Sequence, residues 1–360
     1  MATAAAVATA RANQVIAQSS EARHGRRHIT MSLIQQRRLL CRTPPERQRT
    51  SAIGCSELPA VRRGPLRGNP KPVSATFDRR AVLVRPGGNN GLFEVFRRRH
   101  LLALIVKKEV GIRYRGSALG WLWSYVKPLV QFVVFFVALG VFLQLNKSIS
   151  FYPIYMLSGI TIVTFFNEAM SNGTRSLVDN AALIKKIYLP REMFPIASML
   201  VAAVNTIPQI VVIVAIAFFF GWAPTLAQIA AILVALILVA LLSAGLGMLF
   251  GAINVTFRDA QSFVEIIVMC AIWASPVMYK WEMVAHVLPD WAFVVYRLNP
   301  ITAAVELFHY GLWAPLSPTE DNALPQLWLY AGFGIVTSLV VLAVGQVVFR
   351  RLEGRFAQDL

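Results

Sequence analysis

Apolar runs long enough to cross a bilayer recur along the last two-thirds of the chain, separated by short basic segments. A membrane-crossing helix takes about 20 apolar residues. The first run is 128–145 and the second 151–170. Met193 to Phe257 then holds 65 residues without a charge, too long for one crossing. Gly221-Trp222-Ala223-Pro224 supplies the break, with turn residues beside an indole suited to a membrane interface. Spans three and four are therefore expected at 195–220 and 226–253, span five at 262–279 and span six at 324–349. In hydrocarbon each must be a helix, because no water satisfies an exposed backbone. The pattern predicts an all-α polytopic membrane protein with six transmembrane helices.

Two apolar regions fall outside those spans. Residues 92–127 alternate basic and apolar positions and end in Leu119-Gly120-Trp121-Leu122-Trp123, which reads as an amphipathic helix in the membrane interface. The connection between spans five and six is about 45 residues long. It carries Asn299-Pro300, a helix cap and first helical residue, before apolar Ile301–Trp313. That segment is too short to cross and predicts a re-entrant or surface helix. Within span four, Ser243, Gly247 and Gly251 recur every four residues, a face on which another helix can pack closely.

Charge sets the direction. With a cytoplasmic N-terminus, sixteen Lys and Arg of residues 92–360 fall inside and only Lys147, Lys280 and Arg297 outside. This bias places both termini in the cytoplasm. The whole chain is 56% hydrophobic and 15% charged, with mean hydropathy +0.56, which excludes an ordinary soluble protein. Its net charge of +17 is uneven: residues 1–91 hold 16 of the 35 Lys and Arg but 4 of the 18 acids. That Arg-rich stretch has no core-forming period and is expected to be a disordered leader. It reads as a miscalled start, a functionless tail or a basic targeting arm. The domain proper is expected over 92–360. Because the positive charge sits in the leader and beside the spans, nucleic-acid binding is not expected.

The chemistry of an enzyme is missing. No GxxxxGK[ST] phosphate loop, HExxH or GxSxG is present, and no two Asp residues stand two apart. The three cysteines, Cys41, Cys55 and Cys270, make no CxxC. Glu168 and Glu265 are single acids near span ends, open to a functional or a capped reading. No metal or cofactor site is expected.

Taken in order, the polar segments carry a resemblance. Before span one stands Lys107-Lys108-Glu109-Val110-Gly111-Ile112-Arg113-Tyr114-Arg115-Gly116-Ser117, then Trp121-Leu122-Trp123 and Lys127-Pro128-Leu129. After span two comes Leu183-Ile184-Lys185-Lys186-Ile187-Tyr188-Leu189-Pro190-Arg191-Glu192, after span four Asn254-Val255-Thr256-Phe257-Arg258-Asp259, and after span five Leu298-Asn299-Pro300. Over residues 92–355 this resembles the permease subunits of ABC-2-type exporters of polysaccharide, the Wzm and TagG group that moves O-antigen, teichoic acid or related glycans.

The resemblance implies a homodimer of permease chains in the bacterial cytoplasmic membrane, a lipid-linked glycan as cargo, and two ATP-binding cassette subunits that hold ATP and Mg. It implies that the loop after span two couples to the ATPase through Leu177, Ala181, Ile184, Lys185, Lys186, Tyr188, Arg191 and Glu192. Arg258 and Asp259 would make a second contact. Independently, Leu177, Ala181, Ile184 and Tyr188 fall on one helical face, which equally fits a helix resting on the membrane. The N-terminal segment, with Arg113, Tyr114, Arg115, Trp121 and Trp123, would gate the cytoplasmic mouth. Tyr152, Tyr155, Phe165, Phe166, Trp273, Tyr279 and Trp281 offer rings on which sugars could stack, or else serve helix packing and interfacial belts. Rival readings are an ABC-2 permease for a drug or another lipid, and a secondary transporter. The latter would want broken helices at midplane and paired intramembrane charges.

Overall fold

The computed structural model describes residues 91–113, 120–186, 189–317 and 324–356. Residues 1–90 of the expected leader 1–91, Tyr114, Arg115 and Tyr188 lie outside the described residues, as does the side chain of Trp121. Every described regular element is helical. Two amphipathic helices, α1 (Leu92–Arg97) and α2 (Arg99–Arg113), precede a 3-10 turn at Gly120–Leu122. Then come α3 (Trp123–Phe135), continued as π-helix over Phe136–Phe142, and the short α4 (Leu145–Ser148). The chain goes on through α5 (Tyr152–Asp179), α6 (Ala181–Lys186), α7 (Met193–Phe219) and α8 (Leu226–Thr256). It ends with α9 (Ala260–Trp273), α10 (Trp281–Val287), α11 (Asp290–Leu298), α12 (Pro300–Leu312) and α13 (Leu327–Glu353).

Among the described residues, four helical segments are long and apolar enough to cross a membrane: Tyr125–Phe142, Met193–Phe219, Leu226–Thr256 and Leu327–Glu353. They match spans one, three, four and six to within a few residues. The break between α7 and α8 falls at Gly221, in a left-handed conformation (φ 86°). Thr225 then caps α8 in a reciprocal arrangement with Gln228. Span two corresponds to α5, which continues to Asp179 with a polar C-terminal half. Span five differs more. α9 has 14 residues and stops at Trp273 rather than 279. Pro276 closely follows, and a proline cannot carry a helical ladder onward.

The core forms around α8, which packs against α13, α5, α12 and α7. Its glycines explain how. A Cβ on Gly173 of α5 would lie 3.0 Å from Gly247 Cα, and one on Gly251 would lie 3.0 Å from the Gly173 carbonyl oxygen. The small-residue face read in the sequence is thus taken up by α5. A second close crossing joins Gly245 to Gly345 of α13, where a Cβ on either would meet the other helix's backbone.

The expected segment forms α12, which ends at Leu312 with Trp313 as its cap and is started by Asn299, whose side chain accepts from Ile301 N at 3.1 Å. It is not a surface helix. Nearly all of it is buried against α8, α13 and α5.

Candidate functional site

One face of α5 turns away from the core. Thr164, Asn167, Glu168, Ser171, Asn172 and Arg175 follow the i, i+3, i+4 rule, while Phe165, Phe166, Ala169, Met170 and Gly173 are buried behind them. The polar face borders a cavity of about 630 Å³ whose other wall is Arg113, Trp123, Lys127 and Gln131. A second cavity, of about 230 Å³, shares Arg113 and Asn172 and reaches Glu109, Asp179 and Asn180. Together they make a polar groove between α5 and the N-terminal helices. Sequence reading singled out Glu168 alone on this face. The amide and hydroxyl spacing in Thr164–Asn172 was the signal for the rest.

The groove's acid is not isolated. Glu168 Oε1 pairs with the Arg113 guanidinium and accepts from Asn205 Nδ2 at 2.7 Å. Three helices thereby satisfy a charge that apolar surroundings would make expensive. Lys108 Nζ donates to Asn180 Oδ1 at 2.6 Å, so α2 is fastened to α5 at two points. Arg175 and Glu265 pair at 3.1 Å and tie α5 to α9. Trp123 is half exposed at the groove.

At the far end of α5 the sequence-predicted coupling residues separate into two sets. The helix breaks at Asn180, whose Nδ2 donates to Ser176 O at 2.9 Å, so residues 177–186 are divided between two helices. Leu177 is buried with Phe194, Met248, Val255, Phe349 and Phe356, and Leu183 and Ile184 pack on the same cluster. Ala181 is half-buried. Arg191 donates to the Glu353 carbonyl and lies over the Phe356 ring, 5.7 Å from its centroid. Glu192 is buried and accepts from Gln346 Nε2 at 3.3 Å. The other set is open: Lys185, Lys186, Arg258 and Asp259 are exposed, as is Phe257 at 68%. Phe257 was not among the sequence candidates.

The ring candidates divide similarly. Tyr152, Tyr155, Phe165 and Phe166 are buried in the chain's own core. Tyr279 and Trp281 are half-buried, and Trp273 is 55% exposed. Among the described residues no group of three or more His, Cys, Asp or Glu could hold a metal. The groove can exchange hydrogen bonds with a polar cargo.

A model of the family described as ABC-2 type transporter matches residues 100–313. The O-antigen export system permease protein RfbA of Klebsiella pneumoniae is 25% identical over 264 residues, 72% of this chain and 95% of that protein. RfbA of Myxococcus xanthus is 25% identical over 267 residues, 74% of this chain and 98% of its own. The capsule polysaccharide export inner-membrane protein CtrC of Neisseria meningitidis is 23% identical over 257 residues, covering 71% and 92%.

Proposed function

The chain belongs to the ABC-2 type transporter family, and on that premise we propose that it exports a lipid-linked polysaccharide across the bacterial inner membrane. It is the transporter's permease, and ATP hydrolysis belongs to a separate chain. The observation that carries the cargo assignment is similarity along nearly the whole length of relatives named for polysaccharide export. The polar groove supports it, since sugar hydroxyls need exchangeable donors and acceptors. Asn167, Ser171, Asn172 and Gln131 supply them, and Trp123 offers a ring face.

In this reading the chain crosses six times with both termini in the cytoplasm. α5 and α9 complete the count beside the four strongly apolar segments. Two permease chains form the passage, because one bundle packed around α8 leaves no room for a glycan along its own axis. Two ATPase subunits carry ATP and Mg, and they dock on the exposed set: Lys185, Lys186 and Phe257–Asp259. α2 gates the groove through Arg113.

Deletion of the gene, with complementation by the intact chain, tests the cargo. Loss of surface glycan with lipid-linked glycan accumulating inside is expected. Normal surface glycan in the deletion strain would defeat the assignment.

A further inference from the structure

The chain reversal between Trp273 and Lys280 is gripped by side chains from two helices. α9 has 14 residues, about 21 Å of helix, against a hydrocarbon core of about 30 Å. On the six-span reading proposed above, α9 enters from the cytoplasmic side and stops short of the outer surface. The reversal then lies at membrane depth, where non-helical backbone persists only if the protein satisfies its polar groups.

Side chains supply those partners. Met278 O accepts from the Tyr152 hydroxyl at 2.9 Å. The Tyr155 hydroxyl lies 3.0 Å from Pro276 O and 2.9 Å from Tyr279 O. With one proton it donates to one of them at a time. Ala274 O accepts from Thr302 Oγ1 at 3.3 Å and Asn299 Nδ2 at 3.4 Å, and Trp273 O from the Tyr279 hydroxyl at 2.6 Å. A Cβ at Gly159 would come 3.0 Å from Val277 Cα and 3.2 Å from His309 Nε2, so the backbone approaches there because the residue is glycine. Tyr152, Tyr155 and Gly159 stand at i, i+3 and i+7, one stripe of α5 facing the reversal. From the other side the His309 ring stacks on Tyr155 with centroids 3.8 Å apart.

We propose that Tyr155, helped by Tyr152, is a positioning residue for export: it fixes the reversal and so holds the outer end of α9, with its exposed Trp273, in place. The role belongs to the phenol oxygens rather than to the ring faces. It rests on the six-span permease reading.

The test uses the full chain in complex with its ATPase, with Cys41, Cys55 and Cys270 changed to Ser. Val277→Cys, a buried position, is challenged from outside with a membrane-impermeant maleimide. Tyr155→Phe keeps the ring and its stacking and deletes the hydroxyl. Labelling about five- to tenfold faster is expected, the factor that one net hydrogen bond represents. Export should fall while the yield of complex is unchanged, and Tyr152→Phe should act in the same direction. If either variant yields no complex, Gly159→Ala, which presses on the reversal from the same stripe, should also speed labelling. Unchanged labelling in the variants that assemble, whatever their export, would overturn the proposal. Lys147→Cys, between the first two spans, separates the two ideas. If it is not labelled from outside, the orientation is wrong. If it is labelled while Val277→Cys does not respond, only the positioning role falls.

Discussion

Arg113 of α2 and Glu168 of α5 form an ion pair that fastens the amphipathic N-terminal helix to the polar face of a core helix. Glu168 is mostly shielded from solvent, and Asn205 donates to the same carboxylate oxygen. The arginine is therefore a structural tether at the groove as well as a positive charge near the membrane. Removing it leaves the carboxylate, among the described residues, with the neutral amide of Asn205.

Arg113→Ala should accordingly cost about 1–3 kcal/mol, the usual penalty for depriving a shielded charged group of its partner. Part of this is offset because the arginine is partly exposed. Thermal melting of the detergent-solubilised protein and protease cleavage after Arg99 would register the loosened helix. The Arg113→Ala/Glu168→Ala double variant should be less destabilised than the sum of the singles. Strict additivity would mean that the pair makes no energetic contact.

The crossing of α8 and α13 at Gly245 and Gly345 admits no side chain. Gly345→Val should be destabilising by several kcal/mol, since overpacking at a helix contact forces the backbones apart. Gly332→Ala, with nothing within 4 Å of the new methyl group, should melt no lower than the parent, since alanine is the better helix former. Equal melting temperatures for the two variants would contradict the close crossing.

Ile184 and the exposed residues near it should respond differently to charge. Ile184→Asp places a carboxylate against the cluster of Leu177, Phe194 and Phe349, so protein yield and melting temperature should fall first. Lys185→Glu with Lys186→Glu, or Phe257→Asp, touches only exposed positions. These should leave the yield intact while ATPase co-purification drops. Unchanged ATPase recovery in both exposed variants would move the docking surface elsewhere.

In the groove, Ser171→Leu and Asn172→Leu replace exchangeable polar groups with apolar ones at half-buried sites that line the cavity. Surface glycan should fall at constant permease and ATPase levels. Retention of full export would exclude the groove from the cargo's route.

How far the sequence could be read depends on the physical signal in each segment. The Gly221–Pro224 break and the Asn299-Pro300 cap were legible because backbone chemistry acts locally there. The glycine face of α8 was legible as a contact, but its partner Gly173 was not, since no local pattern names which helix arrives. For Leu177 and Ile184 periodicity gives a stripe that fits docking or the membrane surface alike, without saying what covers it, and the chain's own cluster covers it. The tyrosines of α5 were read for their rings, whereas their hydroxyls hold carbonyls more than a hundred residues away. The same distance hid the end of α9, whose reversal depends on those donors as well as on Pro276.

The most direct test of the account is translocation of a lipid-linked glycan into proteoliposomes that contain this permease and its ATPase. Glycan should reach the far side only when both chains and ATP with Mg are present, and the permease alone should neither hydrolyse ATP nor move glycan. Transport by the permease alone under an ion gradient, or an assembled complex that hydrolyses ATP while moving no glycan, would contradict it.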